Sequence, residues 1–208
     1  MFALLACSLF TQSGSEQAAA PAAPATHILF QDDFADRTSG WGYMDVVQGI
    51  TDYENGIYRI RVDEPEYDLW ATPGLTFDDV RIEVEATKAA GPDDNRFGLI
   101  CRHQDVNNFY VFYISSDGYY GLGKVQDGVF SLLGMDELLP HDAIRQGAAT
   151  NHIQADCLQN RLSLYVNGTL LGEASDDAFS SGEVGVIAGA YGTGGVDIHF
   201  DNFIVRAP

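Results

Sequence analysis

The feature that most constrains the fold is a pair of alternating segments that bracket the chain. Near the start stands Phe30-Gln31-Asp32-Asp33-Phe34, followed by Trp41. At the end stands Val196-Asp197-Ile198-His199-Phe200-Asp201-Asn202-Phe203-Ile204-Val205. Apolar and polar residues alternating with a period of two occupy opposite faces of a β-strand. An unpaired edge strand is a liability, so the two terminal segments are expected to pair. The alternation recurs in Val80-Arg81-Ile82-Glu83-Val84-Glu85 and in Arg161-Leu162-Ser163-Leu164-Tyr165-Val166. In all, strands are predicted over 28–34, 57–62, 67–71, 80–87, 96–103, 109–115, 119–125, 152–158, 162–166, 170–174, 183–190 and 196–205. Asn55-Gly56, Asp117-Gly118, Asp127-Gly128 and Asn167-Gly168 are dipeptides that favour tight hairpin turns. The segment 140–147 reads as a loop and 176–179 as a single helical turn. Many short strands with regular turn signals predict an all-β, two-sheet antiparallel sandwich.

At 208 residues, 46% of them hydrophobic, the chain suits one sandwich domain plus a tail. Acidic residues outnumber basic ones 30 to 11, for a net charge of −19. Such a charge opposes nucleic acid and anionic headgroups. No stretch approaches the ~20 apolar residues of a membrane-spanning helix.

Leu4-Leu5-Ala6-Cys7-Ser8 resembles the bacterial lipobox, in which the cysteine is lipidated after signal cleavage. No basic residue precedes this apolar run, and it is short for a signal peptide, so a start further upstream is expected. Residues 8–26, rich in Ala, Ser and Pro, read as a flexible tether. The chain therefore divides into a truncated signal (1–7), a linker (8–26) and a sandwich domain (27–208). The expected place is outside the cytoplasm of a bacterium, with membrane contact only through the lipid on Cys7. Cys101 and Cys157 remain. Each shares a strand face with apolar neighbours, Phe97 and Leu99 for one and Ile153 and Ala155 for the other. In an oxidising compartment they are expected to pair; two buried free thiols are the alternative.

Several stretches between 27 and 208 together resemble the concanavalin A-like lectin/glucanase jelly rolls, with laminin-G-like and 3-keto-disaccharide-hydrolase-like sandwiches nearest. They are Asp32-Asp33-Phe34 with Trp41, Asn55-Gly56-Ile57-Tyr58, Phe97-Gly98-Leu99-Ile100-Cys101-Arg102 and Asn107-Asn108-Phe109-Tyr110-Val111-Phe112. Asp117-Gly118-Tyr119-Tyr120, Leu164-Tyr165-Val166-Asn167-Gly168, Gly182-Glu183-Val184-Gly185 and Phe200-Asp201-Asn202-Phe203 complete the set. The resemblance implies a jelly-roll fold and a carbohydrate or other surface polymer as partner. It also implies a structural calcium held by a carboxylate near the C-terminus and by early carbonyls. By position these are Asp201, Asp33 and Gly56. No cofactor is otherwise required.

The glucanases of this fold carry their acids on one strand as Glu-x-Asp-x-x-Glu, and this sequence lacks that pattern. Glu83 and Glu85 share a strand face, but Val84 lies between them and no third acid follows. Retaining glycosidases need two carboxyls about 5 Å apart across the sugar, so no catalytic residue is assigned. His27, His103, His141, His152 and His199 show no zinc-binding spacing. Candidate sugar-binding residues are Trp70, Arg96, Arg102, Asn108, Tyr110, Tyr119 and Tyr120, as stacking faces or hydroxyl partners. The expected function is a non-catalytic lectin-like module. The alternatives are a glycoside or keto-sugar hydrolase of the same fold, and a structural protein-interaction module.

Overall fold

The computed structural model describes residues 27–208. Seventeen strands follow one another: β1 (Ile28–Asp32), β2 (Met44–Val46), β3 (Gly49–Glu54), β4 (Ile57–Val62), β5 (Tyr67–Ala71), β6 (Thr76–Phe77), β7 (Val80–Ala90), β8 (Asn95–Asp105), β9 (Asn108–Ile114), β10 (Tyr119–Gln126), β11 (Val129–Leu132), β12 (Leu139–Pro140), β13 (Asn151–Leu158), β14 (Arg161–Val166), β15 (Thr169–Ser175), β16 (Gly182–Ala190) and β17 (Val196–Arg206). No helix occurs among the described residues.

Two antiparallel sheets result. The first runs β15-β14-β13-β7-β17-β4-β3-β2, and the second β11-β10-β9-β8-β16-β5. As the alternation predicts, the first and last strands meet: β1 pairs with the last residues of β17, Asp32 opposite Phe203. β4 pairs with the first half of β17, Phe200 opposite Tyr58. The two short strands thus follow one another along one side of β17, and the register shifts between Asp201 and Ile204, where one hands over to the other. Asn55-Gly56, Asp127-Gly128 and Asn167-Gly168 turn with both residues at positive φ, as tight hairpins require.

The 176–179 segment is an open bend, not the helical turn that the sequence predicts. Asp176 organises it through side-chain bonds instead. Its carboxylate accepts from the Tyr110 hydroxyl (2.6 Å), from Lys124 Nζ (2.6 Å) and from the Ala178 N–H (2.9 Å). Strands β2, β3, β6, β11 and β12 escape the sequence reading. β3 points Gly49, Thr51 and Tyr53 inward, so it carries no aliphatic stripe to notice. β2 and β11 are largely exposed.

The core fills the space between the sheets. Ile82, Val84, Ile153, Ala155 and Phe200 face Leu99, Phe112, Leu122 and Val186, all fully or nearly fully buried. One end is closed by aromatics: Phe34 lies 5.2 Å from Trp41, and Trp41 lies 4.9 Å from Phe203. Asp32 accepts the Trp41 indole N–H at 2.9 Å and the Phe34 N–H at 2.8 Å, which fastens the first strand to this plug.

Cys101 of β8 and Cys157 of β13 are joined, so a covalent bond crosses the sandwich between the two sheets. Next to it Arg102 takes φ 52° and turns its guanidinium into the protein. There it donates to the carbonyls of Gln159 (2.7 Å) and Phe179 (2.8 Å) and to Asp79 (3.0 Å). The sequence separation of the two cysteines is 56 residues, and closing such a loop stabilises by about 4 kcal/mol in the chain-entropy model. Replacing both cysteines with serine is expected to lower Tm by roughly 10 °C, taking ~2–4 °C per kcal/mol. Calorimetry checks this, and an unchanged Tm would show that the bond contributes nothing.

Candidate functional site

An antiparallel sheet that faces water usually alternates apolar-in with polar-out. The second sheet does not. Its outward face carries Ile100, Phe109, Val111, Tyr113 and Ile187 as a second buried cluster, with Trp70 and Val125 packed against it. β9 accounts for this locally, because Phe109-Tyr110-Val111-Phe112-Tyr113 is apolar or aromatic on both faces. The inward set joins the main core, and the outward set must find cover elsewhere.

That cover comes from β11 and the segment before β12. Phe130, Leu132 and Leu138 lie over β10, which presents Gly121 and Gly123 on this face. A Cβ at Gly123 would stand 2.4 Å from the Phe130 ring, so the aromatic can lie there only over a glycine. The cover is incomplete. It leaves a cleft of about 380 Å³ lined by Trp70, Phe109, Tyr113, Phe130, Leu138 and Tyr191, with Asp68 and Arg96 among them. Small-molecule sites occupy roughly 300–1,000 Å³ and have this character, mostly apolar with a few polar groups. Two shallower clefts continue it. One shares Asp68, Trp70 and Val106. The other shares Leu138 and Tyr191 and brings in Glu66, Asp94, Asp117 and Glu137.

One charged pair sits in the wall. Arg96 Nε donates to Asp68 Oδ1 at 2.6 Å, and its guanidinium lies 4.3 Å from the centre of the Tyr191 ring. Gly189 makes this pair possible, since a Cβ there would fall 1.8 Å from Asp68 Oδ1. Burial alone would lower the Arg96 pKa, but the hydrogen bond and charge of Asp68 raise it on balance. The Tyr113 hydroxyl donates to Asp68 Oδ2 at 3.4 Å. Burial, and then the Asp68 charge, push the Tyr113 phenol well above its ordinary range, so it stays a neutral donor.

A second polar chain supports Trp70. Its indole N–H donates to His103 Nε2 at 3.2 Å. Phe109 closes the trio, 5.6 Å from Trp70 and 5.5 Å from His103 between ring centres. Beyond His103 lies Glu183, which accepts from Thr72 Oγ1 at 2.5 Å. Burial lowers the His103 pKa, against the opposing charges of Glu183 and Asp105.

Of the residues singled out from sequence, the structure brings Trp70 and Arg96 together in the main cleft, and Tyr119 stands on the acidic extension. The other four lie elsewhere. Arg102 is buried beside the disulfide. Tyr110 points inward to Asp176, and burial followed by that hydrogen bond pushes its phenol up to about 12. Tyr120 belongs to the main core. Asn108 is engaged by Asp105 in the β8–β9 turn. Glu83 and Glu85 stand on the outer face of the first sheet, tied to Arg206 (3.0 Å) and Asn202 (3.2 Å), away from the cleft. Asp68, His103, Phe109, Tyr113, Phe130 and Tyr191 escape the sequence reading. Two sequence features carry their signal: a strand apolar on both faces, β9, and glycines at alternate positions of β10, Gly121 and Gly123, that vacate one face.

At the seam of the terminal strands, Asp33 and Asp201 come near enough for their charges to interact. Burial raises the Asp201 pKa, the Asn202 N–H opposes this, and Glu85 and Asp33 add to the rise. Gly56 lies in the adjoining β3–β4 turn. Among the described residues, no group of three or more His, Cys, Asp or Glu is arranged to hold a metal ion. Cys7 lies outside the described residues.

The sequence matches no protein-family model and no curated protein. Solved structures do match. The carbohydrate-binding module CBM66 from Bacillus subtilis superposes with a TM-score of 0.61 at 18% identity, covering 81% of this chain and 96% of that one. A Bacillus licheniformis β-glucanase gives 0.60 at 14% identity, covering 86% and 97%. A Bacillus subtilis protein of galectin-like fold gives 0.62 at 13% identity, covering 86% and 96%. The chain has the concanavalin A-like jelly-roll fold.

Proposed function

We propose that this protein is a non-catalytic, lectin-like carbohydrate-binding module that takes a neutral glycan in the cleft on the outward face of the second sheet. The observation that carries this reading is the aromatic lining of the cleft around a small polar group. Pyranose rings present an apolar face that stacks on aromatics, and hydroxyls that bond to fixed polar side chains. Trp70, Tyr113 and Tyr191 supply the first, and the Asp68–Arg96 pair with the Tyr113 hydroxyl the second. The names of the fold neighbours, a carbohydrate-binding module and a glucanase, agree with it.

Binding is favoured over hydrolysis because Asp68 is the one carboxylate lining the main cleft, and Arg96 and Tyr113 already engage it. A hydrolase needs two carboxyls, one of them held protonated as the acid. A neutral ligand is favoured over a uronate or sulfated polymer because Arg96 is neutralised by Asp68 and the cleft opens toward four carboxylates. Trp70→Ala and Tyr113→Ala are each expected to weaken binding about tenfold, the scale of truncating an aromatic anchor that contributes more than ~1 kcal/mol. Isothermal titration against neutral oligosaccharides that score on a glycan array checks this. No glycan binding at all would favour the protein-interaction alternative, and hydrolysis of the same sugars would favour the enzyme.

The reading extends to place. The chain is displayed outside a bacterial cell, held by lipid on Cys7 and a tether over 8–26. The expressed full-length form is expected to partition into detergent, and Cys7→Ser to abolish this. Partition that ignores the substitution would end the anchor.

Calcium belongs to the same proposal. Asp201 through its carboxylate, and Asp33 and Gly56 through their backbone carbonyls, would hold it at the seam where β1 and β17 pair. A ligand that binds only the folded state stabilises by about 2.7 kcal/mol at a hundredfold excess over Kd. Millimolar calcium is therefore expected to raise Tm by several degrees over chelator, and Asp201→Asn to remove the shift. Identical melting curves with calcium and with chelator would refute the site.

A further inference from the structure

Trp70 lines both the main pocket and its extension along β5. An indole that stacks on a ligand must be held at one angle, and packing alone leaves this one half free: its inner edge rests on Phe109, and its outer edge faces solvent. One directional bond fixes it, the indole N–H donated to His103 Nε2. An indole nitrogen can only donate. The bond therefore exists only while His103 Nε2 carries no proton.

We infer that His103 is a positioning residue for the glycan cleft: in its neutral form it holds Trp70 as a binding wall, and protonation releases that wall. This rests on the reading of the cleft as a glycan site. With Nε2 accepting, the ring proton sits on Nδ1. Nδ1 is buried and has no hydrogen-bond partner, and Glu183 Oε2 lies 3.8 Å away, beyond a good bond. A second proton would put two N–H donors nose to nose at 3.2 Å, between His103 and Trp70. It would at the same time draw the imidazolium toward the Glu183 carboxylate. Both forces pull the ring off the indole. Every element packed on the ring contributes to this balance. β16 supplies Glu183 and β8 itself supplies Asp105, the two charges that favour protonation. β5 supplies only the Trp70 donor, and β9 only the uncharged Phe109 ring.

The direction of the pH effect follows. The folded state holds His103 below its ordinary value of 6.5, so at neutral pH the ring is neutral and the wall is set. The stability this adds is present in full above 6.5. It is lost as pH falls through the lowered folded value. Binding that needs the neutral ring is lost over the same fall.

The test combines a ligand-free signal with a binding profile. Only two tryptophans are present, and Trp41 donates its indole N–H to Asp32 in the plug, so it serves as an internal reference. In ¹⁵N-indole NMR of the sugar-free protein, the Trp70 signal, assigned by its loss in Trp70→Phe, is expected to shift between pH 8 and pH 5 while that of Trp41 stays put. Glycan affinity is expected to fall roughly five- to tenfold over the same interval, the order of one lost hydrogen bond. In His103→Gln the amide oxygen takes the place of Nε2 without titrating. Affinity at pH 8 is expected to be retained and the fall at pH 5 abolished. In His103→Leu affinity is expected to be low at both. A Trp70 signal that does not move with pH overturns the inference, and so does a pH dependence that survives His103→Gln. Failure to bind any glycan, with the Trp70 signal still titrating, would remove the cleft's proposed ligand and leave the His103–Trp70 coupling standing. Circular dichroism confirms that each variant is folded.

Discussion

The second sheet has two apolar faces and only one sheet to pack against. The rest of the structure follows from this imbalance. The inward faces of β8, β9, β10 and β16 meet the first sheet and make an ordinary sandwich core. The outward faces hold a second cluster that water would penalise at about 25 cal/mol per Å² of exposed apolar surface. The chain answers with side chains from the edge strand β11 and the loop before β12, which reach across β10 where Gly121 and Gly123 make room for them. These elements cover part of the apolar face and stop. What they leave uncovered is the cleft. The cleft is thus the unfinished part of a packing problem, which is why its lining is aromatic and its polar groups are few.

Polar groups inside such a surface need partners already in place. Asp68, Arg96, Tyr113 and Tyr191 form one set, with the carboxylate accepting from both the guanidinium and the phenol and the cation resting on the second ring. A lone buried charge would shift its protonation or distort the site; this set is close to neutral, with Asp68 met by both Arg96 and Tyr113. The same rule holds across the molecule. Arg59 pairs with Asp52, Arg81 with Asp156 and Lys124 with Asp176. The deep guanidinium of Arg102 is met by two carbonyls and Asp79. With net charge −19 and its basic side chains largely occupied in pairs, the protein has little to offer a polyanion.

The sequence made the fold legible and the site only half so, for one physical reason. Strand alternation is a local signal, and it placed β4 and β5 to the residue and the terminal pairing correctly. It also put Cys101 and Cys157 on facing inner surfaces, where they are bonded. The cleft depends instead on which outward residues lie side by side across five strands. Trp70 sits opposite Ile187, and Ile187 opposite Gly98, with Gly98 opposite Tyr113. Nothing in the local sequence gives that order. Tyr110 and Tyr120, which residue type alone singles out, point inward, one position from the outward Phe109 and Tyr119. Arg102 departs for a different cause. A bulge with positive φ turns it inward, and a bulge leaves no mark on the alternation that precedes it.

The two halves of the molecule divide the work along the same line. The disulfide, the Asp32-centred plug and the pairing of both chain ends on β17 all act on the first sheet or on its contact with the second. They fix the sandwich without touching the cleft. The cleft's own geometry rests on local ties, the Asp68–Arg96 ion pair and the Trp70–His103 hydrogen bond. Rigid support from the first sheet lets the outward face of the second stay aromatic and nearly neutral, its charged pair matched within the wall.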